Sequence, residues 1–111
     1  MNMLFMDPGR LRTELILQEA VTSPDGAGGF TQDWQEVATL FAHVEPLRAD
    51  SQFGAGQHLE SVTHRVTLRY RKGLRSGMRF LLQGRALEII TVQDADETGR
   101  YMICRVREKG Q

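Results

Sequence analysis

Between Val62 and Leu74 the chain reads VTHRVTLRYRKGL, and apolar and polar residues alternate with a period of two. Val62, His64, Val66, Leu68 and Tyr70 share one parity, while Thr63, Arg65, Thr67, Arg69 and Arg71 share the other. Side chains of a strand point to opposite faces in turn, so the pattern predicts a β-strand from Val62 to Arg71. One face fills a core, to which Val66, Leu68 and Tyr70 are assigned, and the other carries a row of guanidinium groups.

The same period runs through most of the sequence. Leu11 to Val21 places Leu11, Leu15, Leu17 and Val21 on one parity and Arg12, Glu14 and Gln18 on the other, then meets the turn formers SPDGAGG. Phe30 to Glu45 puts Trp34, Ala38, Leu40, Ala42 and Val44 on one parity but Val37 and Phe41 on the other. That mixture predicts a long, bent strand, buried differently along its length, with Trp34 in the core. A helix over Asp33 to Phe41 competes, because Val37, Leu40 and Phe41 also satisfy a 3.6-residue period.

Pro46 ends this element by removing a backbone donor. Leu47 to Ser61 (LRADSQFGAGQHLES) is small, polar and glycine-containing, which predicts a long connection with room for a short helical turn near Arg48 to Gln52. Met78 to Leu82 and Ala86 to Gln93, joined by the tight turn QGR, form a predicted hairpin that places Ile90 in the core. An acidic turn, DADETG, leads to a final strand, Arg100 to Glu108, whose alternation buries Cys104. Six strands at fairly even spacing define an all-β chain, a small barrel or sandwich with a long loop between its second and third long strands. Residues 1 to 8 read as an N-terminal arm, and 9 to 111 as one β domain, a usual size for a single core.

Composition adds charge segregation to this picture. The chain has 14 cations, 14 anions and a formal net charge of zero, which argues against non-specific nucleic-acid binding as its main task. Yet no acidic residue lies between Glu60 and Glu88, where seven of the cations fall, so the remainder carries an excess of seven negative charges. Twelve of the 14 cations are arginine, whose planar fork suits carboxylates, phosphates and interfaces. No window is apolar enough to span a membrane as a helix.

Candidate chemistry is thin. His43, His58 and His64 lack the spacings of a metal site, and Cys104 has no nucleophile motif around it and reads as a small core hydrophobe. The glycines of GAGG and GAG do not follow a strand and open a helix as phosphate cradles do. Asp94, Asp96 and Glu97 belong to a turn that favours Asp for its own backbone hydrogen bonds. No catalytic residue, metal or cofactor is expected. The arginine face has three readings: a solvated surface, a nucleic-acid contact, or a contact with the acidic part of a neighbouring copy.

Four stretches in order carry a family resemblance: GRLRTELILQ, GFTQDWQEVATLFAHVEPLR, THRVTLRYRKGLRSGMRFLLQGRALEIITVQDADE and MICRVRE. The more specific elements are W-x-x-V-A-T-x-x-A-x-V-E-P-L, T-H-R-x-T-x-R-Y and M-R-x-x-x-x-G-R. From Gly9 to Glu108 the chain resembles the head-tail joining proteins (head-completion or stopper proteins) of long-tailed bacteriophages, prophages and gene transfer agents. The resemblance implies a non-enzymatic β-barrel that forms a ring, expected to be a hexamer, in the neck of a virion or phage-like particle assembled in the bacterial cytoplasm. Its implied partners are a portal or adaptor ring, a tail terminator or tail tube, and double-stranded DNA passing through the lumen, with no membrane. The loop implied to approach the channel is Leu47 to Ser61, centred on Asp50, Ser51, Gln52, Phe53, Gly54, Ala55, Gly56 and Gln57. Ring contacts are expected from Arg65, Arg69, Arg71 and Arg75 against acids such as Asp94, Asp96 and Glu97. The Met-, Leu- and Phe-rich arm could enter a groove on an adjoining ring. An oligonucleotide-binding barrel and a tail-side terminator or adaptor ring are the alternatives.

Overall fold

The computed structural model describes residues 8–47, 62–95 and 97–108, and all statements below concern these. A 3-10 turn at Pro8–Arg10 precedes six strands: β1 (Thr13–Pro24), β2 (Phe30–Pro46), β3 (His64–Arg69), β4 (Arg79–Leu82), β5 (Arg85–Asp94) and β6 (Tyr101–Glu108). All neighbours are antiparallel and the sheet closes on itself in the order β1-β2-β3-β6-β5-β4. The expected all-β barrel is therefore the observed architecture. The helix weighed for Asp33 to Phe41 does not form, because those residues lie within β2 and pair with β1. The expectations for residues 1–7, for the 48–61 connection with its short helical turn, and for Asp96 fall outside the described residues.

Alternation fills the bore. Leu15 and Leu17 of β1, Ala42 of β2, Val66 and Leu68 of β3, Phe80 of β4, Leu87 and Ile89 of β5, and Met102, Cys104 and Val106 of β6 are all buried. Leu74 and Met78, from the β3–β4 connection, join the same cluster. Phe80 is the largest side chain with no exposed surface. Small barrels are packed by their own side chains in this way, so the interior is a core and not a conduit. Burial pushes the Cys104 thiol up to about 12, which leaves it protonated and unreactive in the fold.

Turn chemistry sets the registers. The β4–β5 hairpin turns on Gln83 and Gly84, both with positive φ (51° and 84°), the pair of left-handed residues that a two-residue type I′ connection needs. Between β1 and β2 the loop is tighter than the glycine-rich sequence suggests. The Asp25 carboxylate accepts hydrogen bonds from the backbone N–H groups of Ala27 (2.8 Å) and Gly29 (3.0 Å), and Asp25 N–H donates to Gly29 O (3.1 Å). Those donors hold the Asp25 carboxyl below its ordinary pKa. With the loop confined to five residues, Ser23 and Pro24 stay in the ladder opposite Thr31 and Phe30.

Two bulges explain where simple parity fails. Leu17 pairs with Ala38 and Gln18 with Glu36, so Val37 is an extra residue on β2 and is exposed. Ile89 pairs with Val106 and Thr91 with Arg105, so Ile90 is the extra residue on β5. The bulge turns Ile90 off the inward row, and Ile89 is the buried residue in its place, correcting the core assignment of Ile90. It also leaves Thr91 Oγ1 buried without a hydrogen-bond partner.

Truncating Phe80 removes the largest block of the core. Phe80→Ala is expected to cost about 3–5 kcal/mol of unfolding free energy, read as a lower midpoint in urea titrations of the purified chain.

Candidate assembly surface

The residues that could meet partners fall in three regions: the outer face of the barrel, an arm made by the far ends of β1 and β2, and a cleft at the base of that arm. Of the arginines expected to meet a neighbour, Arg65 already has a partner on the outer face, as do Arg85, Arg105 and Arg107, which were not singled out. Arg65 donates to Glu45 Oε1 at 2.9 Å across the β2–β3 pair. Arg107 donates to Glu88 at 2.8 Å, Arg85 embraces Glu108 through two bonds of 2.8 and 2.9 Å, and Arg105 donates to Gln93 at 2.9 Å. The bidentate bond holds the Glu108 carboxyl below its ordinary pKa and lifts that of Arg85. Solvent-screened pairs of this kind contribute little stability, but the ion pairs satisfy their charges locally.

The remaining predicted interface residues scatter. Arg69 is exposed, with its guanidinium 6.0 Å from the ring centre of Tyr101, its cross-strand partner. Arg71 is half-buried, Lys72 exposed, and Arg75 lies 3.5 Å from Glu19 of β1. On the opposite side of the charge ledger, Asp94 accepts from Gly99 N–H at 3.0 Å and shapes the β5–β6 turn, where Glu97 adopts φ 64°. The loop assigned to the channel, Asp50 to Gln57, lies outside the described residues.

The arm was not legible as a site. β1 pairs with β4 only over Ile16, Leu17 and Gln18, and β2 pairs with β3 only from Ala42 to Pro46. Beyond those points the two strands pair with each other alone, out to the turn at Asp25–Gly29. Arg79 fixes the arm's root: its guanidinium stacks on Trp34 at 4.1 Å from the ring and donates to Gln18 Oε1 at 2.7 Å. Trp34 is thus half-buried under an arginine on the arm, a correction to its placement in the core. Phe30, at the arm's end, is 70% exposed.

The cleft is the second feature that sequence reading missed. Leu11, Leu40, Phe41, Leu68, Arg69, Tyr70 and Arg71 border an open hollow of about 450 Å³ where β2 parts from β3. Tyr70, assigned to the core by parity, is 52% exposed, and Phe41 is 54% exposed. The reason is that β3 ends at Arg69 and its last partner on β2 is Ala42, so no wall stands opposite Tyr70. Its N–H donates to Arg100 O at 2.9 Å, fixing the backbone while the ring faces out.

Among the described residues no group of three His, Cys, Asp or Glu side chains gathers as metal ligands. His64, at the other end of the barrel, bonds Thr63 Oγ1 through Nδ1 at 2.8 Å. Burial lowers its pKa, partly offset by Glu108 and reinforced by Arg85. Unfolded chains therefore take up a proton near the ordinary histidine value of about 6.5 while folded ones resist, so this residue costs stability as pH falls through that value. Between about pH 7.5 and 5.5, the melting temperature of wild type is expected to drop by more than that of His64→Gln in thermal scans.

Comparison with known proteins gives this surface a context. The family model for "Phage head completion protein" matches residues 6–109. Head completion protein gp16 of Bacillus phage SPP1 is 25% identical over 95 residues, covering 86% of each chain. A chain in the virion of a native gene transfer agent particle is 30% identical and superposes with a TM-score of 0.66, over 90% of this chain and 96% of that one. Protein SF1141 of Shigella flexneri 2a, solved in solution, is 27% identical with a TM-score of 0.76, over 96% and 99% of the two chains.

Proposed function

This chain belongs to the phage head completion protein family, and we propose that it is a structural subunit of the neck, joining a DNA-filled head to its tail as one copy in a closed ring around the DNA path. The observation that carries this reading is the match of the family model to residues 6–109, nearly the whole chain. The similarity to a chain of a gene transfer agent virion and to a phage head completion protein supports the same location.

The physical case for a ring comes from the barrel itself. Its bore is occupied by Phe80, Leu15, Leu68, Leu87 and their neighbours, so a duplex cannot pass through one subunit. A DNA path at this joint has to run between copies, and repeated head-to-tail contacts that close are rings. The hexameric count and the portal, adaptor, terminator and tail-tube partners remain part of this proposal. The 48–61 connection between β2 and β3 is proposed to border the lumen; its flanks are tied by the bond from Leu47 N–H to Thr63 O at 2.9 Å.

The work is mechanical and non-enzymatic: filling a joint, holding charge-bearing surfaces in register, and presenting a rigid shell to two neighbours. Particles assembled without the chain are expected to accumulate as DNA-filled heads beside unattached tails, and purified protein added back is expected to restore joining, scored by electron microscopy. Normal yields of tailed particles without the chain would overturn this reading.

A further inference from the structure

We propose that the β1–β2 arm of one copy docks in the Phe41–Tyr70 cleft of the next copy, so that the ring is closed by a repeated tip-to-base contact. This rests on the ring reading above and specifies which surfaces meet.

The arm is a two-stranded ribbon without cover from the barrel, and such ribbons are marginal on their own in water. It is nevertheless held outward, since Arg79 clamps Trp34 and Gln18 at its root. From Gln18 to Glu36 it carries Glu19, Asp25, Asp33 and Glu36 and no Lys, Arg or His. Two of these acids are engaged at home, Glu19 with Arg75 and Asp25 with its own turn. Asp33 and Glu36 are exposed, and Phe30 stands at the end.

The cleft offers the complementary set. Phe41 and Tyr70 present half-exposed aromatic rings over Leu11 and Leu40, and Arg69 and Arg71 stand beside them. An exposed aromatic tip, with Asp33 and Glu36 set back along the same strand toward the root, thus faces an aromatic hollow flanked by guanidinium groups. A buried aromatic anchor supplies contact energy while the charges set orientation and partner choice.

The arm cannot fill its own cleft. Phe30 and Phe41 lie on the same strand, eleven positions apart, which is about 35 Å of chain at about 3.3 Å per residue. The tip and the hollow therefore sit at opposite ends of one ribbon. Matching surfaces placed so far apart on one molecule meet only between molecules, and such a contact is heterologous: each copy gives its tip and receives another.

The test places cysteines at both surfaces. Cys104 is buried and its thiol stays protonated, so it adds no background. In purified particles, the Phe30→Cys, Tyr70→Cys double variant is expected to form a ladder of disulfide-linked multimers on mild oxidation. A mixture of the two single variants is expected to yield dimers and nothing larger. Phe30→Asp, at an exposed position, is expected to keep its fold by circular dichroism but to lose incorporation into particles about tenfold or more, while Phe30→Trp keeps it.

If wild type is present in particles but the double variant stays uncrosslinked and Phe30→Asp incorporates normally, the tip-to-base contact is overturned and the head completion reading stands. Cross-linking of Tyr70→Cys to a portal or tail protein, or protection of Tyr70 by single-stranded DNA, overturns it equally. If wild type itself is absent from particles, both readings fall.

Discussion

The structure turns on a seam of three residue pairs. β4 closes the barrel by pairing Leu81, Phe80 and Arg79 with Ile16, Leu17 and Gln18 of β1. Without it the sheet has two open edges and the core side chains of β1 and β5 lose their common wall. Because the seam is so short, it also decides what is left over. β1 continues for six residues past Gln18 and β2 lies opposite, so closure at this point projects the arm. The residue that ends the seam, Arg79, reaches from the barrel to stack on Trp34, and one side chain thereby couples closure of the core to the direction of the arm.

The charge pattern follows the same division. Seven cations without an intervening acid look, in one dimension, like a binding surface. In the fold, Arg65, Arg75, Arg79 and Arg85 each find a partner on a strand distant in sequence: Glu45, Glu19, Gln18 and Glu108. Segregation along the chain is therefore partly undone by antiparallel pairing, which sets the basic β3–β5 segment beside acids from β1, β2 and β6. Asp33 and Glu36 stay exposed on the arm, and Arg69 and Arg71 border the cleft.

Much of the architecture was legible because alternation over Leu11–Val21, Val62–Arg71 and Arg100–Glu108 is strong, and a wrong parity would expose every core residue of a strand. Val66, Leu68 and Cys104 lie where that parity puts them. Ile90 does not, because a bulge inserts one unpaired residue and no local sequence marks it. Tyr70 and Trp34 fail for a different reason. Parity says which side a residue takes, but burial also needs a facing element, and the points where β2 leaves β3 and β1 leaves β4 are tertiary facts. The exposed aromatics of the candidate surface, Phe30, Phe41 and Tyr70, all lie beyond those points, so the site was hidden by the same limit.

Energetics decide when such a surface can work. Burying one Phe at the tip contributes roughly 1.5–3 kcal/mol, and rim ion pairs add at most about 1 kcal/mol each. Bringing two free copies together costs an estimated 4–15 kcal/mol in lost translation and rotation, so a single tip-to-base contact does not hold a dimer at ordinary concentrations. The balance changes once a platform holds copies side by side, because each further contact becomes intramolecular and the last one closes two ends at once. A contact too weak to act in free solution and sufficient on a template lets the joint form where a filled head supplies that platform.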